Sequence, residues 1–380
     1  MSLATAPSVL PAGSPGAHRT SLDGVRALAI FGVMLIHAGF PGVAFGWIGV
    51  DLFFVLSGFL ITTLLAMESA ASGSIAYGDF MARRALRLMP AYFLYVAFVT
   101  ALIWWWPGSV RSEEGGWNAA GLTAALWTYT VNFVPQGGVW NGQELTVHLW
   151  SLGVEQQYYL VWPLLFLALH GRPVARRWVS LGLAVAAMIT FIAWPYGLYK
   201  NNLLPTRGFS LLLASAVALW AWHRPDLLRI RAFNRVTDAA GVVFFAALCV
   251  LPYRPGWDGD RVRAVFVPLL VPVFALWMAR LWTLEGSNAV RRFLQRPSLV
   301  YVGKISYGVY LYHEAVRIAV WELLKPPMSA WPPALGFMVR FGIYVALTMV
   351  LAALSYEHFE KRFLRLAGRF RPARVAQRPS

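Results

Sequence analysis

The sequence predicts an all-α, polytopic membrane helix bundle of about ten transmembrane helices plus one re-entrant or interfacial segment. Of its 380 residues, 58% are hydrophobic and only 13% are charged, which is far more apolar than a soluble domain can hide. Largely uncharged stretches of about 18 or more residues recur, and each can cross a hydrocarbon core roughly 30 Å thick. The basic residues gather between these stretches, as they do in membrane proteins.

The candidate spans follow one another along almost the whole chain. They are residues 24–40, 48–67, 90–106, 148–169, 179–195, 204–222, 238–252, 263–283, 299–322 and 334–357. Every second connection between them is basic. The basic clusters are Arg83, Arg84 and Arg87; Arg172, Arg176 and Arg177; Arg224, Arg229, Arg231 and Arg235; Arg291, Arg292 and Arg296; and the tail from Lys361 to Arg378. Because such loops stay in the cytoplasm, we expect both termini there and the protein in the inner membrane.

The same charge pattern sets the remaining limits on function. The net charge of +16 reflects topology, so no nucleic acid partner is predicted. The single cysteine, Cys249, excludes an intramolecular disulfide, and no cysteine and histidine residues have zinc-site spacing, so no metal is expected. Membrane lipid is the expected surrounding, and the sequence indicates no oligomeric state.

Three regions complete the domain organisation. Residues 1–19 predict a disordered cytoplasmic leader rather than a signal peptide, because no basic segment precedes an apolar one. Residues 20–360 predict one membrane domain, and residues 361–380 a basic tail against anionic headgroups. Residues 119–134 are apolar enough to cross, but a crossing there would put the basic connection at residues 172–177 outside. We therefore predict a re-entrant or interfacial segment beside a cavity.

Arg26 and His37 are the ionisable residues of the first span. They are eleven residues apart, which on a helix places them within about 20° of one face and about 16 Å apart along the axis. An ionisable side chain is costly to bury in a membrane and is more often functional than not. A lone histidine could simply join two helices by a hydrogen bond, but an arginine on the same face favours a catalytic role for both residues.

The second span carries Asp51 near its outer end and the pair Ser57 and Gly58 further along. Asp51 is expected close to His37, where its carboxylate could orient the imidazole or bind sugar hydroxyls. Ser57 and Gly58 form a small-residue step that either a second helix or a substrate could approach closely.

Arg84 and Arg87 lie three residues apart in the first basic connection, just before Pro90. On a helix they project about 60° apart, so the two guanidinium groups could bind one anion together. A phosphate group suits such a pair. Topology alone also accounts for cations at this position.

Two later spans carry buried acids. Glu155 in the fourth span needs a partner, which could be Arg207 or Arg340, or else the carboxylate loses its charge by taking up a proton. His313 and Glu314 fall in the middle of the ninth span, after Tyr307, Tyr310 and Tyr312. They predict a buried polar network to which the sequence assigns no chemistry.

Several motifs, in one order, resemble the acyltransferase 3 family of integral membrane proteins. They are LDGVRALAIFGVMLIH with its Arg-x10-His spacing, GVDLFFVLSGFLI, RRALRLMPAY, HLWSLGVEQQYYLVWP, TRGFSLLLAS and ISYGVYLYHEAV. The likeness runs from about Thr20 to about Arg362. Two departures stand out: Glu155 is followed by Gln156 where the family often has a second glutamate, and the chain ends too soon for the SGNH domain that some relatives carry.

The resemblance implies transfer of an acyl group, usually acetyl from acetyl-CoA, to a hydroxyl of a carbohydrate or natural product. The catalytic residues would be His37, Arg26, Glu155 and Asp51. Arg84, Arg87, Arg26 and Ser57 would bind the acyl-CoA co-substrate, and no cofactor is bound permanently. His37 would act as general base at the meeting point of a cytosolic donor and an extracytoplasmic acceptor, or would carry the acyl group itself.

The acceptor stays open at this level. A cell-surface polysaccharide, a lipopolysaccharide, another lipid-linked glycan or a macrolide-type molecule would each suit the chemistry. A different class of protein is also compatible with the sequence, namely a proton-coupled transporter of glycolipid or drug with His37 as the coupling site.

Overall fold

The structure, a computed structural model, describes residues 20–105, 119–133, 145–193, 202–254, 259–284 and 288–370. The predicted leader at residues 1–19 and residues 371–380 of the predicted tail lie outside this description. The described residues form helices and turns without any strand. The helices are α1 (Thr20–His37), α2 (Ile48–Ser72), α3 (Tyr77–Trp105), α4 (Ala119–Trp127), α5 (Trp150–Ala168), α6 (Pro173–Ala193), α7 (Leu204–Arg207), α8 (Phe209–His223), α9 (Arg231–Val250), α10 (Gly259–Thr283), α11 (Ala289–Leu294), α12 (Pro297–Leu324), α13 (Pro333–Ser355) and α14 (Lys361–Ala367).

The predicted all-α membrane bundle is confirmed. Within the described ranges, seven helices are long and apolar enough to cross a membrane. They are α1, α2, α3, α6, α9, α10 and the helical segment that starts with α13. The other predicted spans coincide with α5, α8 and α12, of which α8 is apolar but only 15 residues long. The total of ten crossings stays a prediction.

Helices on the outside of the bundle present apolar side chains to their surroundings. Ile189 of α6 is 58% exposed, Val236 of α9 is 67% exposed and Val350 of α13 is 56% exposed. In water such surfaces would be unfavourable, whereas in a bilayer lipid tails cover them. Many of the buried polar side chains lie instead inside the bundle, among them those between α1, α2, α3, α5 and α12.

Helix α1 and helix α12 run side by side in the same direction. At their beginning, Gly303 packs so closely on α1 that a Cβ atom there would lie 1.9 Å from the carbonyl oxygen of Asp23. At their other end, His37 contacts Glu314. Only glycine allows this approach of two backbones, and the pairing aligns every polar side chain along one helix with those along the other.

Helix α2 packs on α8 through Gly58, where a Cβ atom would lie 2.1 Å from the carbonyl oxygen of Leu211. The predicted small-residue step is therefore a site of close helix packing at Gly58. Its neighbour Ser57 faces the other way, toward α5.

Helix α3 begins before the third predicted span. The sequence predicts the start of this span at Pro90, with Arg84 and Arg87 in the basic connection before it, whereas α3 begins at Tyr77 and continues through Pro90. Proline is tolerated inside membrane helices because neighbouring groups satisfy the freed carbonyl. Arg84 and Arg87 therefore stand on a rigid helix.

Residues 119–133 agree with the prediction of a segment that does not cross. Helix α4 has nine residues, about 13 Å of helix, which is less than half of a hydrocarbon core. It turns at Tyr129, whose φ is 57°, and it is held on α3 by the stacking of Tyr129 on Tyr92, with ring centroids 3.8 Å apart.

Candidate active site

A cavity of about 100 Å³ lies between α1, α2, α3, α5 and α12, and we call it the arginine cavity. Four cationic side chains line it: Arg26, Arg84, Arg87 and Lys304. Ser57 and Glu155 line it as well. The structure thus brings together five of the residues that the sequence predicts for the site, from four different helices.

The cations of the arginine cavity are poorly neutralised. Arg26 donates to Asp23 over 2.6 Å. Within the described part of the chain, no carboxylate forms a salt bridge with Arg84, Arg87 or Lys304. Converging guanidinium and ammonium groups without counterions attract anions, and guanidinium pairs bind phosphate oxygens in particular. The cavity is therefore a candidate site for a phosphate-bearing molecule.

Glu155 is the acid of the arginine cavity, and its partners differ from the predicted ones. The hydroxyls of Ser57 and Tyr159 both donate to Glu155 Oε1. Arg340 instead donates to the carbonyl oxygen of Gly336. The carboxylate is thus held between α2 and α5 by two hydroxyl groups, and the predicted pairing with Arg207 or Arg340 is wrong.

Asp51 does not lie against His37, so that prediction is also wrong. Its carboxylate is fully buried and accepts from Arg207 Nη2 at 2.7 Å and from Ser210 Oγ at 2.9 Å. Both partners lie 156 or more residues further along the chain, where no local spacing could indicate them. Asp51 thereby joins α2 to α7 and α8.

A second polar cluster lies at the far ends of α1 and α12, and we call it the histidine centre. It comprises His37, His148, His313 and Glu314. Nδ1 of His37 contacts Glu314 Oε1, and Arg317 Nε donates to the other carboxylate oxygen over 2.8 Å. The carboxylate takes the position next to His37 that the sequence analysis assigned to Asp51. Its mid-span location was the one signal in the sequence that could have identified it.

The contact with Glu314 has a chemical consequence for His37. Because Nδ1 faces the carboxylate, Nε2 is the ring nitrogen of His37 that points away from Glu314. The His37 side chain is 29% exposed, whereas that of Glu314 is fully buried. His37 is therefore a candidate base at a reachable position.

The other two histidines, His148 and His313, are buried beside His37 and Glu314. His313 is fully buried and donates through Nδ1 to the carbonyl oxygen of Tyr310 at 2.7 Å, while its Nε2 has no hydrogen-bond partner among the described residues. The rings of His37 and His148 each lie 4.9 Å from that of His313. One ligand atom each from His37, His313 and Glu314 lies within 4.8 Å of the others, so these three side chains could hold a metal ion.

Comparisons with known proteins identify a family and several relatives. A family model described as an acyltransferase domain matches residues 19–357. The chain is 29% identical over 361 residues to the peptidoglycan O-acetyltransferase OatA of Listeria monocytogenes, covering 90% of this chain and 55% of that protein. It is 26% identical over 356 residues to the putative peptidoglycan O-acetyltransferase YrhL of Bacillus subtilis, covering 90% and 54%.

A putative O-acetyltransferase of Staphylococcus aureus is 27% identical over 372 residues, covering 90% of this chain and 56% of that protein. The chain thus spans little more than half the length of the curated relatives that it matches. No solved structure matches.

Proposed function

Because the chain belongs to the acyltransferase 3 family, we propose that it transfers an acetyl group from acetyl-CoA to a hydroxyl of a cell-surface carbohydrate. The observation that carries this proposal is the placement of two different sites on the same pair of parallel helices. Helices α1 and α12 contribute Arg26 and Lys304 to the arginine cavity at one end and His37 and Glu314 to the histidine centre at the other.

The arginine cavity is the donor site in this proposal. Coenzyme A carries several phosphate groups, and the cavity offers four cations, of which Arg84 and Arg87 stand one turn apart on α3. Basic connections remain on the cytoplasmic side of a membrane, which is where acetyl-CoA is made available. Arg26 lies further along the path, about 16 Å of helix from His37.

At the histidine centre, His37 Nε2 takes the proton from the acceptor hydroxyl as its oxygen attacks the thioester carbonyl carbon. The carbon–sulfur bond then breaks, the thiolate of coenzyme A leaves, and His37 returns the proton to it. General base catalysis of this kind contributes about 10² to 10⁴ in rate. Glu314 holds the imidazole in place and stabilises the imidazolium that forms, and Arg317 forms a salt bridge with Glu314.

A glycan is the proposed acceptor because two of the relatives are named peptidoglycan O-acetyltransferases. His37 is partly exposed at the end of α1 that faces away from the arginines, so an acceptor can reach it from the outside. The protein accordingly belongs in the cytoplasmic membrane, with both termini inside the cell.

The proposal is tested with the purified full-length chain in detergent. Acetyl-CoA and soluble peptidoglycan fragments are added, and the thiol of free coenzyme A is measured together with the acetyl content of the glycan. We expect both to increase in step, and His37→Ala to reduce the rate at least a hundredfold, as loss of a general base does.

The control is His358→Ala, because His358 lies in the turn after α13 and is exposed. It should leave the rate unchanged. Coenzyme A release that is absent with the wild-type chain, or that survives in His37→Ala, would contradict the proposal, and the first result would favour a transporter. Release without acetylated glycan would point to a different acceptor, such as a macrolide.

A further inference from the structure

The arginine cavity and the histidine centre share no lining residue. Tyr310 lines the cavity, whereas none of the four residues of the histidine centre does so. The Tyr310 ring lies between the two sites: its centroid is 5.5 Å from that of His148 and 5.6 Å from that of His313. An acyl group held in the cavity would therefore meet the Tyr310 ring before it met His37.

Tyr310 is held in this position by three hydrogen bonds. Its hydroxyl donates to the carbonyl oxygen of His148 at 2.8 Å and lies 2.6 Å from Ser151 Oγ. Its own carbonyl oxygen accepts from His313 Nδ1. The two hydroxyl bonds reach across from α12 to the start of α5, so they close the space between these helices.

Phe53 completes the barrier on the side of α2. Its ring packs edge-on against that of Tyr310, with centroids 6.2 Å apart, and it also lines the arginine cavity. Both rings therefore line the cavity on the side of Tyr310 that faces the donor site. A thioester that moves from the cavity toward His37 along this side meets the two rings.

We propose that Tyr310 is a gate between the donor site and the histidine centre, and that its side chain must swing away for the acyl group to reach His37. The proposal rests on the proposed function. Tyr310 is a positioning residue here, since it controls access to the base and exchanges no proton. Opening breaks the hydrogen bonds of the Tyr310 hydroxyl with Ser151 and with the His148 carbonyl oxygen. The hydrogen bond from His313 to the Tyr310 carbonyl oxygen connects the gate to the histidine centre.

Such a gate has two physical effects. While it is closed, water that reaches the partly exposed His37 is separated from the thioester, which prevents hydrolysis of the donor. While it is open, its aperture limits the size of the group that passes, so a small acetyl group is favoured over longer acyl chains. Loosening the gate should therefore increase hydrolysis and relax the preference for acetyl.

The test measures coenzyme A release by the full-length chain in detergent from acetyl-CoA and from butyryl-CoA, without any acceptor except water. Tyr310→Phe keeps the ring and removes both hydroxyl bonds. We expect acetyl-CoA hydrolysis to rise about five- to tenfold, the factor for loss of a net hydrogen bond, with KM for acetyl-CoA unchanged. Tyr310→Ala should raise the butyryl to acetyl rate ratio about tenfold. Ser151→Ala, which removes one partner from the opposite helix, should raise hydrolysis by a smaller factor.

Tyr312→Phe is the matched control, because Tyr312 lies two residues along α12 and its hydroxyl bonds to Ser355 Oγ at 2.8 Å, away from the cavity. It should leave both rates unchanged. Equal hydrolysis in Tyr310→Phe, Tyr312→Phe and the wild type would overturn the gate. So would a tenfold loss of all release in Tyr310→Phe, which would make the hydroxyl a participant in the chemistry. Failure of the proposed function is a different result, since the wild-type chain would then consume acetyl-CoA neither with water nor with a glycan in a His37-dependent way.

Discussion

Single residues of this protein depend on partners that lie far along the chain. His37 is aligned by Glu314, and Asp51 by Arg207. From the sequence, the depth of a residue within a span can be estimated by counting turns, which is why His37 was singled out as an ionisable group within a span. Which of several buried carboxylates reaches it depends on helix pairing, and hydropathy carries no information about pairing. The sequence therefore predicted an acid beside His37 but chose Asp51 instead of Glu314.

Glu314→Gln tests the role of the observed partner. The amide keeps the size of the side chain but loses the charge that stabilises a protonated His37, so kcat should fall about ten- to hundredfold. The KM for acetyl-CoA should not change, because Glu314 lies beyond Tyr310 from the arginine cavity. Steady-state kinetics of coenzyme A release separate the two constants. Glu322→Gln, on an exposed position of the same helix, is the control, and a rise of KM with unchanged kcat would refute this assignment.

Arg84→Gln and Arg87→Gln test the donor site. Each removes one charge from the cavity, and a lost charge-assisted hydrogen bond weakens binding by about ten- to hundredfold. We expect KM for acetyl-CoA to rise by this factor in each variant, with a weaker dependence on salt than in the wild type. Isothermal titration with coenzyme A gives an independent measure of binding. Arg365→Gln removes the same charge from an exposed position on α14 and should bind normally; a similar loss there would mean that net charge alone attracts the donor.

At the level of elements, the register between α1 and α12 determines the site. The sequence identified most of the helices, because long apolar stretches have few alternatives to membrane helices. It did not indicate that α3 extends back to Tyr77, since the polar first turns of that helix resemble a loop. The alternating topology implies that α1 and α12 cross the membrane in the same direction, but it gave no sign that they pack side by side, because Gly303 has no distinguishing neighbours in the sequence. Such contacts depend on shape, which a hydropathy pattern does not describe.

Gly303→Ala tests the importance of this register. The added methyl group would meet the backbone of Asp23, so α1 and α12 must separate or slide, and His37 loses its alignment with Glu314. We expect a lower melting temperature and a loss of kcat of tenfold or more. Gly182→Ala is the matched control, because a Cβ atom there meets nothing within 4 Å, and replacing a helix glycine by alanine stabilises by about 0.5–1 kcal/mol. Equal thermal stability and activity of both variants would show that the close contact is dispensable.

For the whole molecule, the important property is its orientation in the membrane. The proposal requires the arginine cavity to open to the cytoplasm and His37 to face outward. The alternating basic connections predict this orientation. Because α1 and α12 lead from the arginine cavity to the histidine centre, the acyl group would move from the cytoplasmic side outward. In a protein inserted in the opposite orientation, His37 would face the cytoplasm, where acetyl-CoA is found.

Cysteine labelling can determine the orientation, because the chain has one cysteine. In a Cys249→Ser background, Ser74→Cys lies between α2 and α3 and Ser329→Cys lies between α12 and α13, both at exposed positions. A membrane-impermeant maleimide should label the second in intact cells and the first only after lysis. Activity of each variant is the control for folding. The opposite labelling pattern would exclude a cytosolic donor at the arginine cavity.

The buried pair of Asp51 and Arg207 has a consequence for how the protein is made. The two residues are 156 positions apart, and ribosomes add about 5–20 residues per second, so Asp51 leaves the ribosome on the order of ten seconds before its counterion. A lone carboxylate is poorly tolerated in lipid. Helix α2 must therefore wait in a protonated state or beside the water of the insertion machinery until α7 arrives. We accordingly expect α2 to pack into the bundle only after α7 has been synthesised, so the helices do not enter the lipid independently, one after another.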